Sequence, residues 1–143
     1  MAGKTFSELL DQTTDQCRTM DAPLGRRLQA VADRVRELAP DFADVVGRMV
    51  ERLERNGVGL NAPAPGDLMP EFLLPDQDGR LNRLSDFTSK GPVVVSFNRG
   101  HWCPYCQLNA DALARAAPDL QALGAQIVAI TPELPRYSRE LKD

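Results

Sequence analysis

The chain carries a Cys-x-x-Cys, Cys103-Pro104-Tyr105-Cys106, preceded directly by Phe97-Asn98-Arg99-Gly100-His101-Trp102. Two thiols at this spacing can close a disulfide or act in turn as nucleophile, because one helical turn brings residues three apart onto the same face. The reactive species is the thiolate. A free cysteine has a pKa of about 8.5, which a helix N-terminus or such a motif brings to roughly 7 or lower. An inert buried pair and half of a zinc site are the competing uses. Zinc calls for four ligands, and the remaining candidates are Cys17 and the single histidine, His101, so redox chemistry is the preferred reading.

The elements around the motif fit that chemistry. Residues 92–97, Pro-Val-Val-Val-Ser-Phe, are short, β-branched and almost wholly apolar, which predicts a strand buried on both faces of a parallel sheet. Residues 107–116 are rich in helix formers, so Cys103 falls near an N-cap and Pro104 at the first helical position, where its missing N–H costs nothing. Gly124 predicts the end of that helix and residues 126–130 a second buried strand, which makes a right-handed βαβ unit. Upstream, residues 71–74 and 80–84 flank a turn whose Asp78-Gly79 suits a hairpin, and residues 84–87 read as a turn into the central strand.

The composition is that of one globular domain, with 143 residues, 43% hydrophobic and 26% charged. A net charge of −3 and a pI near 5.2 give no electrostatic basis for binding nucleic acid or an anionic membrane. The first residues hold no long apolar stretch and carry acids early, so neither a signal peptide nor a spanning helix is expected, and the expected location is cytoplasmic. Three cysteines, an odd number, argue against a disulfide-stapled secreted scaffold.

Composition changes once, dividing a helical N-terminal extension (1–56) from an α/β part (57–143). Thr5-x-x-Glu8 has the form of a capping box, and apolar residues recur through Leu9, Leu10 and Cys17, the last read as a small core residue. After Pro23, Leu24, Leu28, Val31, Val35 and Leu38 form an apolar stripe with Arg26, Arg27, Asp33, Arg34 and Arg36 mostly off it. Pro40 ends that helix, Asp41 can cap the next, and Phe42, Val45, Val46, Met49, Val50 and Leu53 give it an apolar face up to Asn56-Gly57. Such faces cover a core in their own subunit, the preferred reading, or pair with a second copy. Residues 57–70, with three prolines and three glycines, read as a linker.

Together these residues carry a resemblance. Gly66-Asp67-x-x-Pro70-x-Phe72-x-Leu74-x-Asp76-x-x-Gly79, Leu84-Ser85-Asp86-Phe87, and Val93-Val94-Val95-x-Phe97-x-Arg99-Gly100-x-Trp102-Cys103-Pro104-x-Cys106 resemble the peroxiredoxin-like branch of the AhpC/TSA family over residues 66–143. The resemblance implies an α/β thioredoxin-like fold after a helical extension, with Cys106 in the peroxidatic position and Cys103 where ordinary peroxiredoxins have threonine. It implies a hydroperoxide substrate, a thiol electron donor of thioredoxin, glutaredoxin or glutathione type, and no metal or organic cofactor. Cys-Pro-Tyr-Cys is also similar to the glutaredoxin site, and a Trp before the first cysteine to that of thioredoxin, families in which the first cysteine attacks. A protein disulfide reductase, or a catalytically weak interaction module, are the alternative readings.

The supporting expectations follow. Arg99 supplies positive charge near the thiolate, His101 stabilises it when protonated, Trp102 packs over the active-site helix and shields one sulfur, and Tyr105 lines the substrate face. The resembled families continue past residues 133–143 with a helix, a hairpin and a final helix, and with them a cis-proline loop and an activating arginine. The fold therefore reads as truncated at its C-terminus. A short gene product, a fragment of a longer protein and an intertwined dimer all accommodate this, and the open sheet edge with the apolar helix faces leads to the expectation of a homodimer.

Overall fold

In the computed structural model the described residues are 3–134 and 136–137. Three helices come first: α1 (Phe6–Thr19), α2 (Leu24–Leu38) and α3 (Pro40–Arg55). The capping box of α1 is formed, with the Glu8 N–H donating to Thr5 Oγ1 at 3.3 Å and the Thr5 N–H donating to the Glu8 carboxylate at 2.7 Å. Pro40 is the first residue of α3, so the cap is Ala39 and Asp41 lies within the first turn, two positions past the cap it was expected to be. There its charge still favours the helix N-terminus, but no side-chain cap bond forms. The 57–70 connection is made of turns and extended backbone and is largely exposed.

The hairpin pairs β1 (Leu73–Pro75) with β2 (Leu81–Arg83), Leu74 opposite Asn82. Its turn is tied by the Asp76 carboxylate, which accepts the Asp78 and Arg80 N–H groups at 2.9 Å each, and Gly79 takes the positive φ of 81°. The expected turn at 84–87 is instead a short helix, α4 (Leu84–Thr88). Asp86 accepts the Arg83 N–H at 2.8 Å, so the residue that suggested a turn caps a helix.

The α/β unit is β3 (Val93–Phe97), α5 (Pro104–Ala122) and β4 (Gln126–Ile130), with β3 and β4 parallel and in register from Val93↔Gln126 to Phe97↔Ile130. Among the described residues this sheet has two strands, and burial on both faces is not observed. In β3 only Ser96 is buried, and Phe97 is 68% exposed. The helix α5 closes as the sequence indicated: Gly124 turns left-handed at φ 72°, its N–H donating to the Gln121 carbonyl and the Ala125 N–H to that of Leu120, both at 2.9 Å.

The core joins the two halves of the chain. Cys17 of α1, Val31 of α2 and Leu108 of α5 are fully buried together, flanked by Leu10, Leu24, Leu28, Ala30, Val35 and Tyr105. The stripe of α2 thus covers its own subunit, whereas α3 has no buried residue and leaves Phe42, Met49 and Leu53 exposed. Arg27, expected mostly off the stripe, is 4% exposed, because position 27 lies one turn from both Leu24 and Val31. Its Nε donates to the Cys17 carbonyl at 2.7 Å and its guanidinium pairs with Asp111 of α5. Arg115 pairs with Asp111 at 3.0 Å and donates to the Arg18 carbonyl at 2.7 Å. The Cys17 and Arg18 carbonyls in the last turn of α1, the first also reached by the Met20 N–H at 3.4 Å, are therefore capped by arginines from α2 and α5.

Candidate active site

The strand β3 delivers the chain to the head of α5, and buried polar side chains fix the take-off. The Asn98 N–H donates to the Ile130 carbonyl at 2.8 Å, carrying the ladder one residue past β3. The Asn98 amide donates to the Ser96 carbonyl at 3.2 Å, and Asn109 of α5 donates to Ser96 Oγ at 2.9 Å. The loop that follows is thus anchored to both strand and helix.

Cys103 is the N-cap of α5 and Pro104 its first residue, which places both sulfurs at the positive end of a nineteen-residue helix. Cys103, Cys106 and Cys17 are all free thiols. Cys103 is completely buried, and its Sγ receives the Arg99 guanidinium (Nη2) at 3.0 Å. Cys106 is 7% exposed, and its Sγ accepts the Arg99 backbone N–H at 3.2 Å. One arginine thus serves both sulfurs, its side chain lying closest to the first and its backbone N–H on the second.

These surroundings separate the two thiols. Burial pushes the Cys103 thiol up, and the Arg99 guanidinium does not reverse that. Burial also works against ionisation of Cys106, but the Arg99 N–H, the Cys103 thiol, the Gly100 N–H and the Arg99 charge outweigh it, and its pKa is lowered. Ionisation is therefore favoured at Cys106 over Cys103.

The other expected residues are placed differently. Trp102 does not pack over α5: it is 59% exposed, with the Arg99 guanidinium 5.4 Å from its ring centroid. Tyr105 packs against the Cys17, Val31 and Leu108 cluster, turned toward the helical extension and not toward an open substrate face. Burial raises its phenol pKa, with Cys103 adding to the effect. His101 holds Glu133: its ring Nδ1 lies 2.6 Å from Glu133 Oε1 and its backbone N–H donates to Oε2 at 2.8 Å. The His101 ring also stacks on Tyr137, with centroids 4.9 Å apart.

Glu133, Gln107 and Arg18 were not anticipated as part of this site. Gln107 Nε2 donates to the His101 carbonyl at 2.5 Å and its Oε1 accepts from Arg18 at 3.1 Å, a relay from α1 into the active-site loop. Gln107 could have been suspected from its place next to Cys106, but no motif marks Arg18 or Glu133. Beside the loop, a groove of about 550 Å³ runs between β1 and β4, lined by Phe72, Leu74, Phe87, Thr131 and Glu133 among others. Among the described residues no group of three or more His, Cys, Asp or Glu side chains could hold a metal ion, and no helix is long and apolar enough to cross a membrane.

Comparison with known proteins places this geometry in context. The AhpC/TSA family pattern matches residues 65–143, leaving α1 to α3 outside it. The chain is 34% identical over 79 residues to the thiol-disulfide oxidoreductase ResA of Geobacillus thermodenitrificans (strain NG80-2), covering 55% of this chain and 44% of that protein. It is 33% identical over 76 residues to peroxiredoxin Bcp of Escherichia coli (strain K12), covering 53% and 48%. With the chloroplastic peroxiredoxin Q of Oryza sativa subsp. japonica it shares 32% identity over 88 residues, covering 62% and 40%. In each case the match spans less than half of the relative's length. No solved structure matches.

Proposed function

The chain belongs to the AhpC/TSA family, and we propose on that premise that it is a thiol-dependent oxidoreductase that reduces hydroperoxides through Cys106 and Cys103. In this reading the Cys106 thiolate attacks the terminal peroxide oxygen, an S–O bond forms as the O–O bond breaks, and the departing alkoxide or hydroxide takes a proton from solvent. Cys106 becomes a sulfenic acid. The Cys103 thiol then attacks that sulfur, water is released, and a Cys103–Cys106 disulfide remains for two equivalents of an external thiol to reduce. The observation that carries the reading is the setting of Cys106: its sulfur sits at the head of α5, accepts the Arg99 backbone N–H at 3.2 Å and lies within reach of the Arg99 charge, beside the fully buried Cys103. A cytoplasmic location, where thiol donors are abundant, and assembly as a homodimer through α3 belong to the same proposal.

A disulfide reductase is the second reading, favoured by the Cys-Pro-Tyr-Cys motif and by the similarity to ResA. It requires attack by Cys103, which is wholly buried with its pKa raised. Dimedone labelling after one equivalent of peroxide separates the two. In Cys103→Ser the label is expected on Cys106, and its absence there would falsify the peroxidase reading.

A further inference from the structure

Glu133 follows β4, remote in sequence from the cysteines, yet its carboxylate closes on the loop that serves them. Oε2 accepts the His101 N–H at 2.8 Å and the Thr131 hydroxyl at 3.2 Å, while Oε1 faces His101 Nδ1 at 2.6 Å. It also packs on the Gly100 backbone. A Cβ at position 100 would lie 2.6 Å from Glu133 Oε1 and 2.5 Å from Trp102 Nε1, and Gly100 has φ 147°, which L side chains rarely adopt. From the other side Gln107 holds the His101 carbonyl. Residue 101 is thus gripped at its N–H, its carbonyl and its ring by side chains from two separate elements.

The two residues just before it, Arg99 and Gly100, supply the backbone N–H groups that favour the Cys106 thiolate. We propose that Glu133 is a positioning residue for Cys106: its carboxylate pins Gly100 and His101 so that the Arg99 and Gly100 N–H groups stay aimed at the sulfur. The inference rests on the reading of Cys106 as the nucleophile. Its physical basis is preorganisation, since donors already fixed in place stabilise a charge without having to reorient when it forms. A loop free to move would divide its N–H groups between the sulfur and water.

The charge of Glu133 acts in the opposite direction, because a carboxylate near a thiolate disfavours the second negative charge. Burial works against ionisation of Glu133, but its bonds from His101 and Thr131 hold the carboxyl below the usual range, so it is charged at neutral pH. Positioning and charge therefore predict opposite signs when the side chain is removed.

The test is the pH dependence of iodoacetamide alkylation at Cys106 in the full chain carrying Cys103→Ser, with the modified residue mapped by mass spectrometry. The groups facing Cys106 are then Arg99 and the introduced hydroxyl, with His101 and Glu133 behind the loop. Glu133→Ala is expected to raise the alkylation midpoint by about one pH unit, about a tenfold loss of thiolate below it. Glu133→Gln keeps an oxygen for the His101 N–H and is expected to leave the midpoint at or below that of the parent. Gly100→Ala, which forces the carboxylate off the loop while keeping its charge, is expected to raise it as Glu133→Ala does. An unchanged or lowered midpoint in Glu133→Ala overturns the proposal. Buried Cys17 reports folding: if it reacts in Glu133→Ala, Gly100→Ala decides alone, and an unchanged midpoint there overturns the proposal. No peroxide is used, so a parent midpoint at the free-cysteine value sinks the nucleophile assignment itself. A low parent midpoint that ignores both substitutions sinks only the role of Glu133.

Discussion

The helices α2 and α3 are neighbours of almost equal length, both amphipathic, and they meet different fates. In α2 the stripe is packed against α1 and α5, and its central Val31 is wholly buried. In α3 no residue is buried, and Phe42, the large residue nearest its start, reaches only an edge-on contact with Phe6 at 6.4 Å. The difference lies in what each face is offered. Around α2 stand the apolar sides of α1 and α5 and a carboxylate, Asp111, that accepts the buried charged residue on the stripe, Arg27. Amphipathicity says that a helix wants a partner, and the partner's shape and charge decide which one it gets.

The sharpest way to break this contrast is at Arg27. Replacing it with Ala leaves Asp111 with Arg115 alone and uncaps the Cys17 carbonyl, and the expected loss is about 3 kcal/mol in urea unfolding. The pair also sets an acid limit. The Asp111 pKa is lowered, burial opposing and the Arg115 and Arg27 partners prevailing. Its stabilisation is therefore complete above the unfolded value of about 4 and is lost as pH falls through the lower folded value, a loss that should vanish from acid titrations of an Asp111→Asn protein.

A smaller effect is expected from truncation within the two faces. Val31→Ala should cost about 2 kcal/mol, because it opens a cavity between three helices. Val45→Ala on α3 should stay within about 0.5 kcal/mol at concentrations that keep the chain monomeric. Equal losses at the two positions under those conditions would show that α3 is buried within its own subunit.

The least effect on folding is expected from Phe42→Asp combined with Met49→Asp. The exposed face of α3 is the surface that the proposed homodimer would bury, so this double change should convert dimer to monomer in sedimentation and abolish the concentration dependence of the unfolding midpoint, leaving that midpoint nearly unchanged at concentrations where the parent is already monomeric. A compact monomer before and after the change removes the dimer from the proposal.

Much of this was legible from residue pattern, because local rules govern it. The capping box at Thr5, the hairpin turn at Gly79, Pro104 opening α5 and Gly124 closing it are each fixed by a few neighbouring residues, and each is observed. The short helix α4 was missed because the Asp that favours a turn serves equally as a cap. The Val run of β3 is that of a buried central strand, yet burial depends on what lies over it, and Phe97 has little. At the site, the motif located Cys103 and Cys106, and the fold added what spacing cannot show. Arg99 divides between the two sulfurs, Trp102 faces solvent, and Glu133 arrives from the far side of β4. Arg27 departs from the pattern for a simpler reason: a charge ordinarily marks the solvent side, yet position 27 lies one turn from Leu24 and Val31 and is buried.

The exposed 57–70 connection has one further consequence. A short flexible tether holds its two ends at an effective concentration of about millimolar. The α1 and α2 face therefore needs no more than a modest intrinsic affinity for α5 to stay docked beside Tyr105 and Gln107, since it is never diluted. A single cut in this segment would turn that docking into a bimolecular equilibrium. Below the dissociation constant of that contact the helical extension would separate, taking with it Arg18, its hold on Gln107, and the Cys17 and Val31 side of the core behind Cys106.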